Sequence, residues 1–218
     1  MSGFPGSPRL VKGGIVITDP SNLAVLGVIT LQYNPDTLTR TLQVQGATAT
    51  GNHSEALRLT GPAIETIKLD AELDATDGLE FPEQNPTLVE LGLHPQIARL
   101  ESLVNPSAAD LATLDRMAGQ GAIEIAPAQA PLTLFVWSAQ RILPVRITDF
   151  SVVEDAFDVN LNPMRARISL GLRVLSVDDL GFQHPGGGLF MGQLQRMENL
   201  ARRAPGGGLQ ALGIGSLR

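Results

Sequence analysis

The chain has 218 residues, 43% of them hydrophobic and 17% charged, with a formal net charge of −6. That length supports one sizeable domain, or a domain of roughly 150 to 180 residues plus a tail. There is no cysteine, which excludes disulfides, thiolate nucleophiles and cysteine-ligated metal sites, and the negative charge argues against a dedicated nucleic-acid binder.

Only 4% of residues are aromatic, so the core is expected to consist mainly of Leu, Ile and Val. The start, Met1-Ser2-Gly3-Phe4-Pro5-Gly6, has no basic region followed by an apolar run, so no signal peptide is expected. No apolar stretch reaches the ~20 residues of a membrane helix. The charge is uneven. From Gln183 onward Arg196, Arg202, Arg203 and Arg218 stand against Glu198, a surplus of +3 that leaves −9 on the rest. A basic tail on an acidic body suits docking on a neighbouring copy or an acidic partner, and equally suits a solvated tail.

Residues 1–13 read as a flexible N-terminus, Gly-, Pro- and Ser-rich over the first eight. Gly14 to Thr18 is the first expected strand, stopped by the turn composition Asp19-Pro20-Ser21-Asn22. Leu23 to Tyr33 is the second and Leu38 to Gln45 the third, and their closeness predicts an antiparallel pair. In the third strand Leu38, Leu42 and Val44 share a dry face that Arg40 breaks. Residues 46–56 are polar and Gly-punctuated, which predicts a loop, and Leu57 to Leu59 returns to strand.

The stretch from Ala63 to Ala75 is the plainest strand in the chain. Ile67, Leu69, Ala71, Leu73 and Ala75 alternate with Lys68, Asp70, Glu72 and Asp74, the period of a strand with one dry and one wet face. The period then changes. Gln96 to Val104, after Pro95, sets Ile97, Leu100, Leu103 and Val104 on one helical face. Ser107 is an expected N-cap for a second helix carrying Leu111, Leu114 and Met117, which Gly119 stops. These form a helical insert over about 86–118.

Strands resume at Ala122 to Ala126, Leu132 to Ser138, Val145 to Glu154 and Arg165 to Val174. Leu132 to Trp137 is apolar on nearly both faces, which predicts cover from two sides. After residue 182, His184-Pro185-Gly186-Gly187-Gly188 reads as a linker. Phe190, Leu194, Met197 and Ala201 make a thin apolar stripe on a short helix, and Ala204-Pro205-Gly206-Gly207-Gly208 reads as a second linker. An isolated helix this short is marginal in water, so 183–218 is expected to be a Gly-hinged basic docking tail that orders on an assembly.

Catalytic chemistry finds little footing. The three histidines, His53, His94 and His184, are scattered, and no pair has the spacing of a zinc helix. Asp70, Glu72, Asp74 and Asp77 approach a calcium-loop pattern, but Ala75 stands where its glycine belongs and no acid follows at the twelfth position. Glu154, Asp155 and Asp158 are carboxylates near a turn, with nothing marking a sugar site. There is no Gly-x-Ser-x-Gly elbow, and the glycine runs lack the Lys-Ser/Thr of a phosphate loop. No catalytic, metal or cofactor site is expected.

Several pieces occur together in a particular order. They are Tyr33-Asn34-Pro35, the strand from Gly61-Pro62 to Asp77, a helical insert, Phe135-Val136-Trp137, and Asn162-Pro163-Met164-Arg165-Ala166-Arg167. With them, roughly Gly14 to Gly181 resembles the tube-protein domain of contractile injection systems and phage-tail baseplates. The resemblance implies a mainly β fold with short helices (α+β), a tail-tube-like antiparallel β-barrel or sandwich over 14–182 that forms a sixfold ring by inter-subunit sheet pairing. It implies a structural, non-enzymatic role in the baseplate, joining the central spike to the inner tube and initiating tube assembly. The implied partners are further copies of the chain, the inner tube protein, the spike protein and other baseplate or sheath components, with no nucleic acid and no membrane insertion. Assembly would start in the cytoplasm and end in a phage-like particle or a cell-anchored injection machine. Many members of that family continue into a LysM module, whereas here Gly-rich runs and short apolar segments follow Gly181, so a compact adaptor or tube initiator is expected. The expected assembly residues are Trp137, Phe135, Thr48, Asn52, Phe190, Leu194, Met197 and Arg202. The alternative is a monomeric ligand-binding β-barrel.

Overall fold

The computed structural model describes residues 10–46, 57–120 and 130–216. Seven strands carry the fold: β1 (Gly14–Thr18), β2 (Val25–Thr30), β3 (Leu38–Gln43), β4 (Ile64–Asp74), β5 (Leu132–Ser138), β6 (Arg141–Phe157) and β7 (Pro163–Val174). They form one antiparallel sheet in the order β2-β1-β5-β6-β7-β4-β3.

The alternation in β4 sets the register at its centre. Ile67, Leu69 and Ala71 lie opposite Leu172, Leu170 and Ile168 of β7 on the buried face. On the wet face Asp70, Glu72 and Asp74 lie opposite Ser169, Arg167 and Arg165. Ser169 Oγ donates to Asp70 at 2.5 Å, and Arg165 and Arg167 pair with Asp74 and Glu72 at 3.2 and 3.6 Å. A slip of one residue would bury the charged row and expose the apolar one, so both faces specify the same pairing.

The expected pairing of the second and third strands does not occur. β2 forms a hairpin with β1, β3 pairs with β4, and the two stand at opposite edges of the sheet. The chain after β2 crosses the open end of the sheet instead. Leu31 donates its N–H to Gly13 O and is buried, and the Gln32 amide accepts from Asp74 N at 2.9 Å and donates to Asp74 O at 2.8 Å. A side-chain amide thereby takes the place of a strand partner. A flat sheet would hold β2 about 24 Å from β4 at ~4.8 Å per strand, so these bonds require the sheet to curl. Sequence proximity predicts a hairpin only where the intervening residues have no better partner.

The concave face holds the core, in which Ile15, Ile67, Leu69, Phe135, Leu143, Val145, Ile168, Leu170 and Leu172 pack together. Helices close it. α1 (Thr76–Leu79), α2 (Pro86–Leu91), α3 (His94–Glu101) and α4 (Ala108–Gly119) make the insert, with α3 burying Ile97 and Leu100. α3 begins before and ends before the expected Gln96–Val104 span. The expected cap of α4 is present, with Ser107 Oγ accepting from Asp110 N at 3.1 Å. Leu57–Leu59 makes only an isolated bridge, Gly46 with Leu59. The strand expected at Ala122–Ala126 lies outside the described residues.

β6 is longer than expected and carries an irregularity between Ile147 and Asp149. Beyond it Phe150 and Val152 take over the core face. Asp149 lies over Gly171, where a Cβ would come within 2.5 Å of Asp149 Oδ2, so this strand position needs glycine for close approach.

The C-terminal region differs most from expectation. After α5 (Val177–Leu180), α6 runs from Pro185 to Arg203, so Gly186–Gly188 form its first turn and not a linker. His184 caps it through Nδ1, which accepts from Gly186 N at 3.0 Å. A Cβ on Gly187 would lie 2.1 Å from Gly181 O. The helix is docked on its own domain: it packs on β6, Phe190 joins the main core, and Gly186, Gly187 and Gln193 are buried. The picture of a free arm is corrected for this helix, because its glycines serve tight packing and not hinging.

Candidate assembly surfaces

Three surfaces stand out. The first is the pair of sheet edges. Among the described residues, β2 and β3 each pair on one side only. β2 exposes Val25 and Leu26 at 63% and 64%, and the β3 edge exposes Leu42 and the following Val44. An edge with unpaired backbone groups and apolar side chains is a template for another strand.

The second is a cavity of about 350 Å³ between α6 and the end of the sheet where β5 turns into β6. Its apolar wall is Trp137, Leu143, Phe190, Leu194, Met197 and Leu200. Two of its polar groups come from breaks in otherwise apolar strand faces. Glu65 occurs in phase with Ile67 and Leu69, and Arg40 in phase with Leu38 and Leu42; the two pair at 2.5 Å. The hydrogen bond to Glu65 raises the Arg40 pKa, against the opposing effect of burial. Arg141 shares the cavity. It makes no ion pair among the described residues, and burial followed by the nearby Arg40 charge lowers its pKa. Gln193 is 8% exposed, and its Oε1 is the buried side-chain atom without a hydrogen-bond partner among the described residues.

The third is the tip of the β6–β7 hairpin. Val159 and Leu161 are 98% and 75% exposed, and Phe157 is exposed beside them. Ala156 and Leu161 hold positive φ of 54° and 64°, each costing on the order of 1–2 kcal/mol for a residue with a Cβ. Asp158 stabilises the turn. Its carboxylate accepts from Asn162 Nδ2 and from the N–H groups of Asn160 and Asn162, which lowers its pKa. Asn162 Nδ2 also donates to Glu90 O, and Leu93 N to Pro163 O, which ties the hairpin base to the helical insert.

The expected assembly residues fall in different places. Trp137, Phe190, Leu194 and Met197 meet in the cavity. Phe135 is 1% exposed and stacks beneath Trp137 with ring centroids 5.9 Å apart. It belongs to the subunit's own core and not to a surface, because its strand face is the concave one. Arg202 is exposed near the end of α6. Thr48 and Asn52 lie outside the described residues, as does His53. The strand-face breaks at Arg40 and Glu65 were the visible signal for the cavity. Arg141 and Gln193 had none, since nothing local distinguishes them from other polar residues.

The acids of the wet face are committed within the chain. Asp74 accepts from the hydroxyl and N–H of Thr76 and then from Arg165, which lowers its pKa, and Asp77 accepts from the Tyr33 hydroxyl at 2.5 Å. Among the described residues no three His, Asp or Glu side chains gather as a metal site. No helix among them is long and apolar enough to cross a membrane.

No protein-family model matches the chain, and no curated protein sequence matches it. Solved structures with a distant likeness include the following two. One is a chain from the virion of a native gene transfer agent particle, 8% identical, with a TM-score of 0.28, covering 79% of this chain and 95% of that one. The other comes from the tail of an empty gene transfer agent particle computed with C6 symmetry, 10% identical, with a TM-score of 0.22, covering 64% and 74%. At these scores and identities neither match assigns this chain a role.

Proposed function

We propose that the chain is a structural subunit of a phage-tail-like assembly, without catalytic activity, that builds a ring by joining the β2 edge of one copy to the β3 edge of the next. The observation carrying this reading is the open sheet, whose two different edges both present apolar side chains. Edge-to-edge joining of unlike edges is a head-to-tail contact, which closes into a ring when the rotation per subunit allows it. The curl seen at Gln32 and Asp74 gives each subunit part of that rotation.

The polar convex face of β3, β4 and β7, with its paired Asp, Glu, Arg and Ser side chains, suits a water-filled lumen. The sixfold copy number and the position between spike and inner tube follow from the tube-domain resemblance. So do the partners: inner tube protein, spike, and baseplate or sheath components.

The test is native mass spectrometry and negative-stain imaging of the purified chain, alone and with candidate tube and spike proteins. Leu26→Lys with Val28→Lys should leave a folded monomer and abolish rings, since both side chains are already exposed. Rings of unchanged yield in that variant would overturn edge pairing.

A further inference from the structure

We propose that the hairpin tip of one copy seats in the α6 cavity of a second copy, so that subunits also join end to end. This rests on the reading of the chain as an assembly subunit and adds a second contact, perpendicular to the sheet edges.

Both halves of the contact lie on one element. The cavity includes Arg141, the first residue of β6, and the tip begins at Phe157, its last. β6 is seventeen residues long, which sets the two roughly 50 Å apart at ~3.3 Å per residue. The tip therefore cannot reach its own cavity, and only another molecule's tip can.

Their chemistry is complementary. The cavity offers an apolar wall and the Arg141 guanidinium, which makes no ion pair among the described residues. The tip offers exposed Val159 and Leu161, the carboxylates Glu154 and Asp155, and the Asn160 side-chain amide at its apex. No Lys or Arg occurs between residues 147 and 164, while Arg196 of α6 donates to Ala139 O, next to the cavity residues Ser138 and Gln140. At about 350 Å³ the cavity equals the share of roughly a dozen waters at ~30 Å³ each, which suits a few side chains of a hairpin apex and not a folded element. One carboxylate of the tip would meet Arg141.

The absence of native cysteine allows a direct test. A V159C chain and a Q140C chain, the latter marking the cavity rim, are mixed and oxidised mildly. A D36C chain in place of Q140C serves as the control, at an exposed position away from the cavity. The mixed 159–140 disulfide should exceed the 159–36 product by about tenfold, equivalent to ~1.4 kcal/mol. Arg141→Glu in the Q140C chain should remove that excess. In the unmodified chain V159D should weaken end-to-end association in sedimentation velocity, and its 98% exposure keeps folding out of the result. The mixed disulfide should persist when both chains also carry L26K and V28K, which separates this contact from edge pairing. Rings without the 159–140 excess, or an excess indifferent to Arg141→Glu in a folded variant, overturn the proposal and leave the ring reading standing.

Discussion

Adjacent glycines in α6 distinguish a packed helix start from a hinge. Gly188→Ala adds a methyl that meets nothing within 4 Å, whereas Gly187→Ala places one 2.1 Å from the carbonyl oxygen of Gly181. The first change removes glycine's conformational freedom from a helix at no steric cost and should stabilise by about 0.5–1 kcal/mol. The second gains the same entropy but forces the helix off the α5–α6 turn by roughly 1 Å, an overpacking cost of about 1–3 kcal/mol. The net effect should be a loss of about 0.5–2 kcal/mol. For a chain of this size one kcal/mol moves the melting temperature by about 2–4 °C. Gly188→Ala should therefore raise Tm by about 1–4 °C and Gly187→Ala lower it by about 1–8 °C, read by calorimetry and by urea denaturation. Two shifts of the same sign and size would refute the docking of α6 on its own domain, because in a hinge both positions are equivalent.

Glu65→Ala should cost about 2–3 kcal/mol in denaturant unfolding, because it strands Arg40 beside Arg141. The figure stays below the 3–5 kcal/mol of a fully buried pair because the Arg40 side chain remains 28% exposed. Glu65→Leu together with Arg40→Met should recover most of that loss, and equal losses in the single and double variants would contradict it. Acid should loosen the hairpin tip. The Asp158 pKa is lowered from 3.8, first by the Asn162 side chain and then by backbone N–H groups, so its support is complete above 3.8 and is lost as pH falls through the lower folded value. Amide exchange of Asn160 and Asn162 should rise there relative to β7, and Asp158→Asn should raise it already at neutral pH.

Much of the sheet was legible locally. The alternation of β4 named the buried face residue by residue, because a period of two leaves no freedom about which side chains share a face. Ser107 announced its helix because a cap is a contact between residues three apart. The fates of β2, β3 and α6 were decided elsewhere. Gln32 finds its partner forty-two residues away at Asp74, and that bond sends the chain across the sheet in place of a hairpin. The run Gly186–Gly188 has the composition of a linker, yet it opens α6, and its first two glycines admit the close approach of Leu180 and Gly181 O. Arg141 and Gln193 enter the same cavity only because α6 lies along the end of β6. Periodicity and capping are short-range and written into neighbouring residues, whereas edge position, close approach and an unpaired polar atom are properties of distant segments brought together.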